Sequence, residues 1–183
     1  MTEAEFQRIL TCADPNPAET GTPLTSRVRE PRILAIDPGT TESGWCLLSN
    51  GRASLSGVMA NEQVLELLTA NRRKGDGYTL AIEMIASYGM AVGREVFETC
   101  VWIGRFKQAW HSPEAVRLVY RRDVKLHLCG SPRAKDANIR QALLDLLGPQ
   151  GTKKQPGPTY GVKSHAWAAL GVAVTAAHQL STD

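Results

Sequence analysis

Four apolar residues, Ile33-Leu-Ala-Ile36, run between Arg32 and Asp37 and stop at Pro38-Gly39. A short apolar run closed by turn residues reads as a buried strand. Gly44–Ser49 predicts a second strand, and Asn50-Gly51, a strong hairpin signal, folds it back onto a third over Arg52–Met59. Val64, Leu65, Leu67 and Leu68 then predict a helix over Asn61–Arg73, with Asn61 as a capping residue and Lys74-Gly-Asp-Gly77 as its end. Tyr78–Glu83 predicts a fourth strand, and Ala86–Gly93 is irregular. A long helix is expected over Arg94–His111, with Val96, Phe97, Cys100, Val101, Ile103 and Gly104 placed for packing. Val116–Tyr120 alternates as a fifth strand, and Asp123–Leu128 predicts a short helix. Lys135–Leu147 predicts another, with Ile139, Leu143, Leu146 and Leu147 on one stripe and Gly148-Pro149 as its stop. A Pro/Gly-rich loop over Gly151–Tyr160 leads to a last helix over Ser164–Leu180. The order β-β-β-α-β-α-β-α is mixed α/β.

Ahead of this pattern, residues 1–31 are rich in Pro, Thr, Ala and Glu, with little apolar periodicity past Leu10. They read as a flexible leader, with a short helix over Glu3–Leu10, before one folded domain over residues 32–183. A chain of 183 residues, 43% hydrophobic and 21% charged, is an ordinary globular composition and excludes wholesale disorder. No apolar run reaches the ~18 residues of a membrane span, and the N-terminus lacks the apolar core of a signal peptide. The four cysteines are scattered without a C-x-x-C pair, which argues for reduced thiols and a cytoplasmic setting.

Net charge is only +3, but Arg105–Lys154 carries 11 Lys/Arg against 4 Asp/Glu. That excess is either a solvated helical face or a phosphate-binding surface. Composition does not decide between them.

Asp37 and Glu83 each close an apolar strand. Strand ends are where α/β sheets place ligands, and a carboxylate there must be solvated, paired or metal-bound. Together the two point to a divalent-metal site, whose hard oxygen ligands suit Mg²⁺ or Mn²⁺. Gly39 would let the backbone approach a phosphate or metal. The segment Asp37-Pro-Gly-Thr-Thr-Glu-Ser-Gly-Trp45 fits both the ATP-binding sugar-kinase, actin and Hsp70 group and the RNase H-like nucleases. The former needs a second equivalent domain, for which this chain is too short. His165, expected in the first turn of the last helix, becomes a third ligand beside the two carboxylates. His111, His127 and His178 read as surface or core-edge residues.

Four dispersed elements resemble the RuvC-type Holliday junction resolvases of the RNase H-like superfamily: Ile36-Asp37-Pro38-Gly39 with Gly44-Trp45; Ala81-Ile82-Glu83; Val124-Lys125 with Gly130 and Arg133-Ala134-Lys135; and Ser164-His165-Ala-Trp-Ala168-Ala-Leu170. The resemblance spans about Arg32 to Leu180. It implies an RNase H-like fold, with a mixed five-stranded sheet of three antiparallel then two parallel strands flanked by helices. It also implies paired phosphodiester cuts in branched DNA, a homodimer, and two Mg²⁺ or Mn²⁺ ions held by Asp37, Glu83, His165 and a fourth group. The family's fourth group, an Asp, falls on Ala168, which has no ligand atom. The chain is therefore either an inactivated resolvase or a catalytically silent junction binder; a nuclease for flaps, forks or RNA–DNA hybrids is the other enzyme reading. Lys125, Arg133, Lys135, Arg140, Lys153 and Lys154 are the expected phosphate contacts. Tyr88 and Arg94, beside the irregular stretch after Glu83, are expected to reach the junction. The expected dimer contact is the helix Arg94–His111, through Phe97, Val101, Gly104 and Phe106.

Overall fold

The computed structural model describes residues 31–70 and 77–182. Most of the expected leader, its short helix included, and the Lys74–Asp76 helix end lie outside them. Five strands form one sheet: β1 (Arg32–Asp37), β2 (Glu42–Ser49), β3 (Arg52–Ala60), β4 (Tyr78–Met84) and β5 (Arg117–Tyr120). Among the described residues five helices flank it: α1 (Asn61–Ala70), α2 (Arg94–Ala109), α3 (Arg121–Cys129), α4 (Asp136–Leu147) and α5 (Ala166–Thr182). The strand order is β3-β2-β1-β4-β5, with β1 at the centre. β1 pairs antiparallel with β2 and parallel with β4, β2 antiparallel with β3, and β4 parallel with β5. This is the expected mixed sheet of the RNase H-like fold.

The apolar run of β1 has no polar interruption because both faces of the central strand are covered. Successive side chains alternate between them. Ile33 and Ala35 join the core built with α3, α4 and α5, whereas Leu34 and Ile36 join the core built with α1 and α2. At Asn50-Gly51 both residues have positive φ (49° and 67°), as a two-residue hairpin turn requires.

Three expectations need correction. Asn61 is the first residue of α1 and turns its side chain back to the loop after β1: its amide donates to the Gly39 carbonyl at 3.0 Å, and its Oδ1 accepts from the Ser43 hydroxyl at 2.6 Å. The long helix ends at Ala109, and Phe106 is not on its outer side but wholly buried. Its buried stripe is Thr99, Ile103 and Phe106, which leaves Phe97 and Val101 exposed. A single 3₁₀ turn, Pro113–Ala115, starts the approach to β5, which begins at Arg117 rather than Val116.

Candidate functional site

Parallel pairing of β1 and β4 aligns Ile36 with Ile82, so Asp37 and Glu83 follow at the same edge of the sheet. The third predicted residue reaches them from α5. His165 directly precedes the helix instead of lying in its first turn, and its carbonyl accepts the Ala168 and Ala169 N–H groups at 3.0 and 3.2 Å. Its Nδ1 stands 3.6 Å from Asp37 Oδ2. The approach depends on a glycine: Gly44 faces Asp37 in the β1–β2 register, and a Cβ there would lie 2.5 Å from the His165 carbonyl oxygen. Gly39 also lets the chain turn into β2: a Cβ there would lie 2.3 Å from the Glu42 carbonyl oxygen.

Two residues not picked out in the sequence complete the cluster. Arg121, the first residue of α3, follows directly from β5, which pairs with β4. Its guanidinium donates through one nitrogen to Glu83 Oε2 at 3.1 Å and through the other to Asp136 Oδ1 at 2.6 Å. Asp136 is the first residue of α4, whose start is pinned by the Lys135 N–H donating to Asn138 Oδ1 at 3.0 Å. The strand-end rule that selects Asp37 and Glu83 also applies to Arg121. Asp136 carries no such signal, because nothing in its local pattern brings the start of α4 to Arg121.

A cleft of about 440 Å³ is lined by Asp37, Glu83, Arg121, Asp136, Arg140, Ser164, His165, Trp167 and Ala168, with Ile139 at its base. All four expected site positions therefore share one cleft. A second groove, lined by Asp136, Arg140, Gln150, Lys163, Ser164 and Trp167 among others, shares residues with the first and extends it. Arg140 lies over the Trp167 ring at 5.0 Å.

Electrostatics mark the two strand-end carboxyls as charge-poor. Burial and then the neighbouring Asp37 push Glu83 up to about 7, against the pull of Arg121. Burial also raises Asp37, opposed by Arg121 and His165. Burial works against the charge on Arg121, but Glu83 and Asp136 more than offset it and raise its pKa. Among the described residues, no three His, Cys, Asp or Glu side chains already converge on one point as a ready ion cage. The arrangement instead has one guanidinium where positive charge is needed.

Of the other expected DNA contacts only Arg140 lines the cleft and its groove. Tyr88 is exposed with a φ of 46°, and the Arg122 guanidinium lies 5.9 Å from its ring centre. Arg94 is exposed and paired with Glu98 at 2.5 Å. Lys125 is half-buried on α3, and Arg133 and Lys135 are exposed on the approach to α4. Lys153 and Lys154 are exposed in a loop closed by a Gly151–Pro156 bridge. Away from the cluster, His111 bonds Ser112 at 2.9 Å, and His127 and His178 stack with ring centres 4.4 Å apart. No helix among the described residues is long and apolar enough to cross a membrane.

The sheet order and the flanking helices are those of a RuvC-type, RNase H-like fold. No protein-family model and no curated protein matches the chain. Among solved structures it is similar to Thermus thermophilus RuvC in complex with a Holliday junction substrate, at 18% identity and a TM-score of 0.63, over 82% of this chain and 95% of that one. A second Thermus thermophilus RuvC structure matches at 21% identity and a TM-score of 0.57, over 82% of this chain and 96% of that one. The resemblance read from dispersed motifs thus holds at the level of the fold.

Proposed function

We propose that this chain is a metal-dependent, structure-selective endonuclease that resolves four-way DNA junctions by paired phosphodiester cuts. The observation that carries the reading is that Asp37, Glu83 and His165 line one cleft on a RuvC-type fold. The donor chemistry fits Mg²⁺ or Mn²⁺: two carboxylates and an imidazole around a deficit of positive charge, which Arg121 partly fills. Asp37, Glu83 and His165 would hold the metal. When bound, such ions lower the pKa of an attacking water and stabilise the leaving oxygen.

The chain's own residues do the rest. His165 is largely exposed and anchored by its backbone, so its ring can turn to orient a water beside Asp37. Arg140 and Lys163 line the groove that continues the cleft, where a phosphate backbone can run. Lys125, Arg133, Lys135, Lys153 and Lys154 add sequence-independent contacts. Tyr88 and Arg94, after β4, extend toward the branch point. With about six phosphates neutralised, log K for junction binding falls against log salt with a slope near −5. A flat salt response removes this surface from the interface. Two cuts of opposite strands require two sites, so the active form is a C₂ homodimer paired through the outer side of α2. The domain is the segment 32–183, preceded by a leader, and the setting is cytoplasmic.

The alanine at position 168 favours a second reading, a junction binder that does not cut, because it offers no ligand atom. Cleavage of a labelled four-way junction in Mg²⁺ and in Mn²⁺ by this chain and by Ala168→Asp separates the two. Cutting by this chain establishes the nuclease. Cutting by Ala168→Asp alone makes it an inactivated resolvase. Binding without cutting by both leaves the junction binder, and cutting of flaps, forks or hybrids in preference to junctions changes the substrate.

A further inference from the structure

We infer that Asp136, at the start of α4, supplies the fourth metal-ligating group, a carboxylate, that position 168 lacks, so that the site is complete from a different element. The inference rests on the metal-dependent reading above. Asp136 lines the same cleft as Asp37, Glu83, His165 and Ala168. One guanidinium spans Glu83 and Asp136, at 3.1 and 2.6 Å, with each carboxylate on one of its two terminal nitrogens. A cation already sits between them, and a divalent ion carries more charge into the same gap.

The two acids differ in a way that suits this exchange. The Glu83 side chain is 11% exposed and fixed in β4, whereas that of Asp136 is 76% exposed. Asp136 therefore has room to turn from Arg121 to an ion. Its backbone does not have that freedom, because the Lys135–Asn138 bond holds the first turn of α4. A carboxylate on that fixed turn lines the same cleft as Ala168, which presents only a methyl group. Arg121 then has two partners before metal binds and remains beside the site afterwards, where its charge faces a bound phosphate.

The test measures Mn²⁺ binding to the full chain, without DNA, by titration calorimetry and by the electron paramagnetic resonance of free Mn²⁺. Each variant is first checked for native circular dichroism. Asp37→Asn is the control for the site itself. Asp136→Asn is expected to weaken Mn²⁺ at least about tenfold, the scale on which even outer-sphere partners act. The loss is expected to persist when Asp136→Asn is made in an Arg121→Gln background, and adding Ala168→Asp restores most of it. Asp136→Asn binding as tightly as the parent, while Asp37→Asn does not, overturns the inference and leaves the metal site standing. A loss that vanishes in the Arg121→Gln background also overturns it, because Asp136 then acts only by holding Arg121. Binding that is absent in the parent, or unchanged by Asp37→Asn, overturns the metal-dependent reading and this inference with it.

Discussion

On the face of the sheet beneath α5, strands and helix meet through Ala35, Cys46, Ala81, Ala166, Ala169 and Ala173; on the opposite face they meet through Leu34, Ile36, Trp45, Met59, Phe106 and Trp110. Small side chains let α5 lie close to the strands, close enough that Gly44 and His165 touch through backbone atoms. A Cβ on Gly171 of α5 would likewise come within 3.1 Å of Val124 on α3. Large side chains such as Ile33, Leu143 and Leu170 are buried there too, but the alanines and glycines set how closely α5 approaches. The opposite face buries larger side chains, which contribute more per residue because hydrophobic stabilisation scales with apolar area. Its outer helix leaves Phe97 62% and Val101 61% exposed. One face holds the site in place, and the other supplies the volume that keeps the sheet folded.

Two substitutions sharpen this contrast. Phe106→Ala removes a wholly buried ring from the aromatic-rich face and should cost about 3–5 kcal/mol in urea unfolding. Mn²⁺ binding below the unfolding transition should stay at the parent's value, since the cleft is on the other side. Gly44→Ala should cost less, about 1–3 kcal/mol, because one methyl group must be accommodated by a backbone shift. Its effect on the site should be the larger of the two: the start of α5 moves, and the His165 ring resonances shift in an NMR spectrum. Equal effects of both variants on Mn²⁺ binding would erase the division of labour.

The site face also has its own pH dependence. Glu83 has an ordinary value of 4.5 and is lifted to about 7, by burial first and Asp37 second. The folded state therefore binds a proton that the unfolded state has already lost. Stability falls with pH wherever the folded state binds more protons. The Glu83 contribution is fully present below about 4.5, declines as pH rises to about 7, and is flat above that. Thermal melts in EDTA should show this decline, and Glu83→Gln should flatten it. Phe106→Ala should lower every melt without changing the slope. Saturating Mn²⁺ should raise the melts near pH 7 and above, where Glu83 is free to ionise.

Asp37, Glu83 and His165 were legible in the sequence because each lies where a regular element begins or ends, which an apolar run locates without knowledge of its neighbours. Arg121 and Asp136 were not, since their nearness to Glu83 arises from the β4–β5 register and from where α4 packs, both non-local. The phase of α2 shows another limit. Phe97, Val101 and Gly104 recur at helical spacing just as Thr99, Ile103 and Phe106 do, so periodicity alone names two stripes and cannot say which one meets the sheet. Asn61 was legible as a residue at a helix start, but its bonds run to Gly39 and Ser43, 22 and 18 residues back along the chain.

The smallest expected effect on stability is on the outer side of α2. For a stripe facing only water, replacing Phe97 and Val101 with serine changes stability by no more than about 0.5 kcal/mol each. The proposed homodimer buries that stripe, and the stability of an associating chain depends on its concentration. The parent's melting temperature should therefore rise with protein concentration, whereas Phe97→Ser/Val101→Ser should melt at one temperature throughout and scatter light as a monomer. At the lowest concentrations the two proteins should converge, because the aromatic-rich core behind α2 is untouched. A concentration-independent parent that scatters as a monomer would assign the stripe to solvent, and the two cuts in a junction would then need another way to be paired.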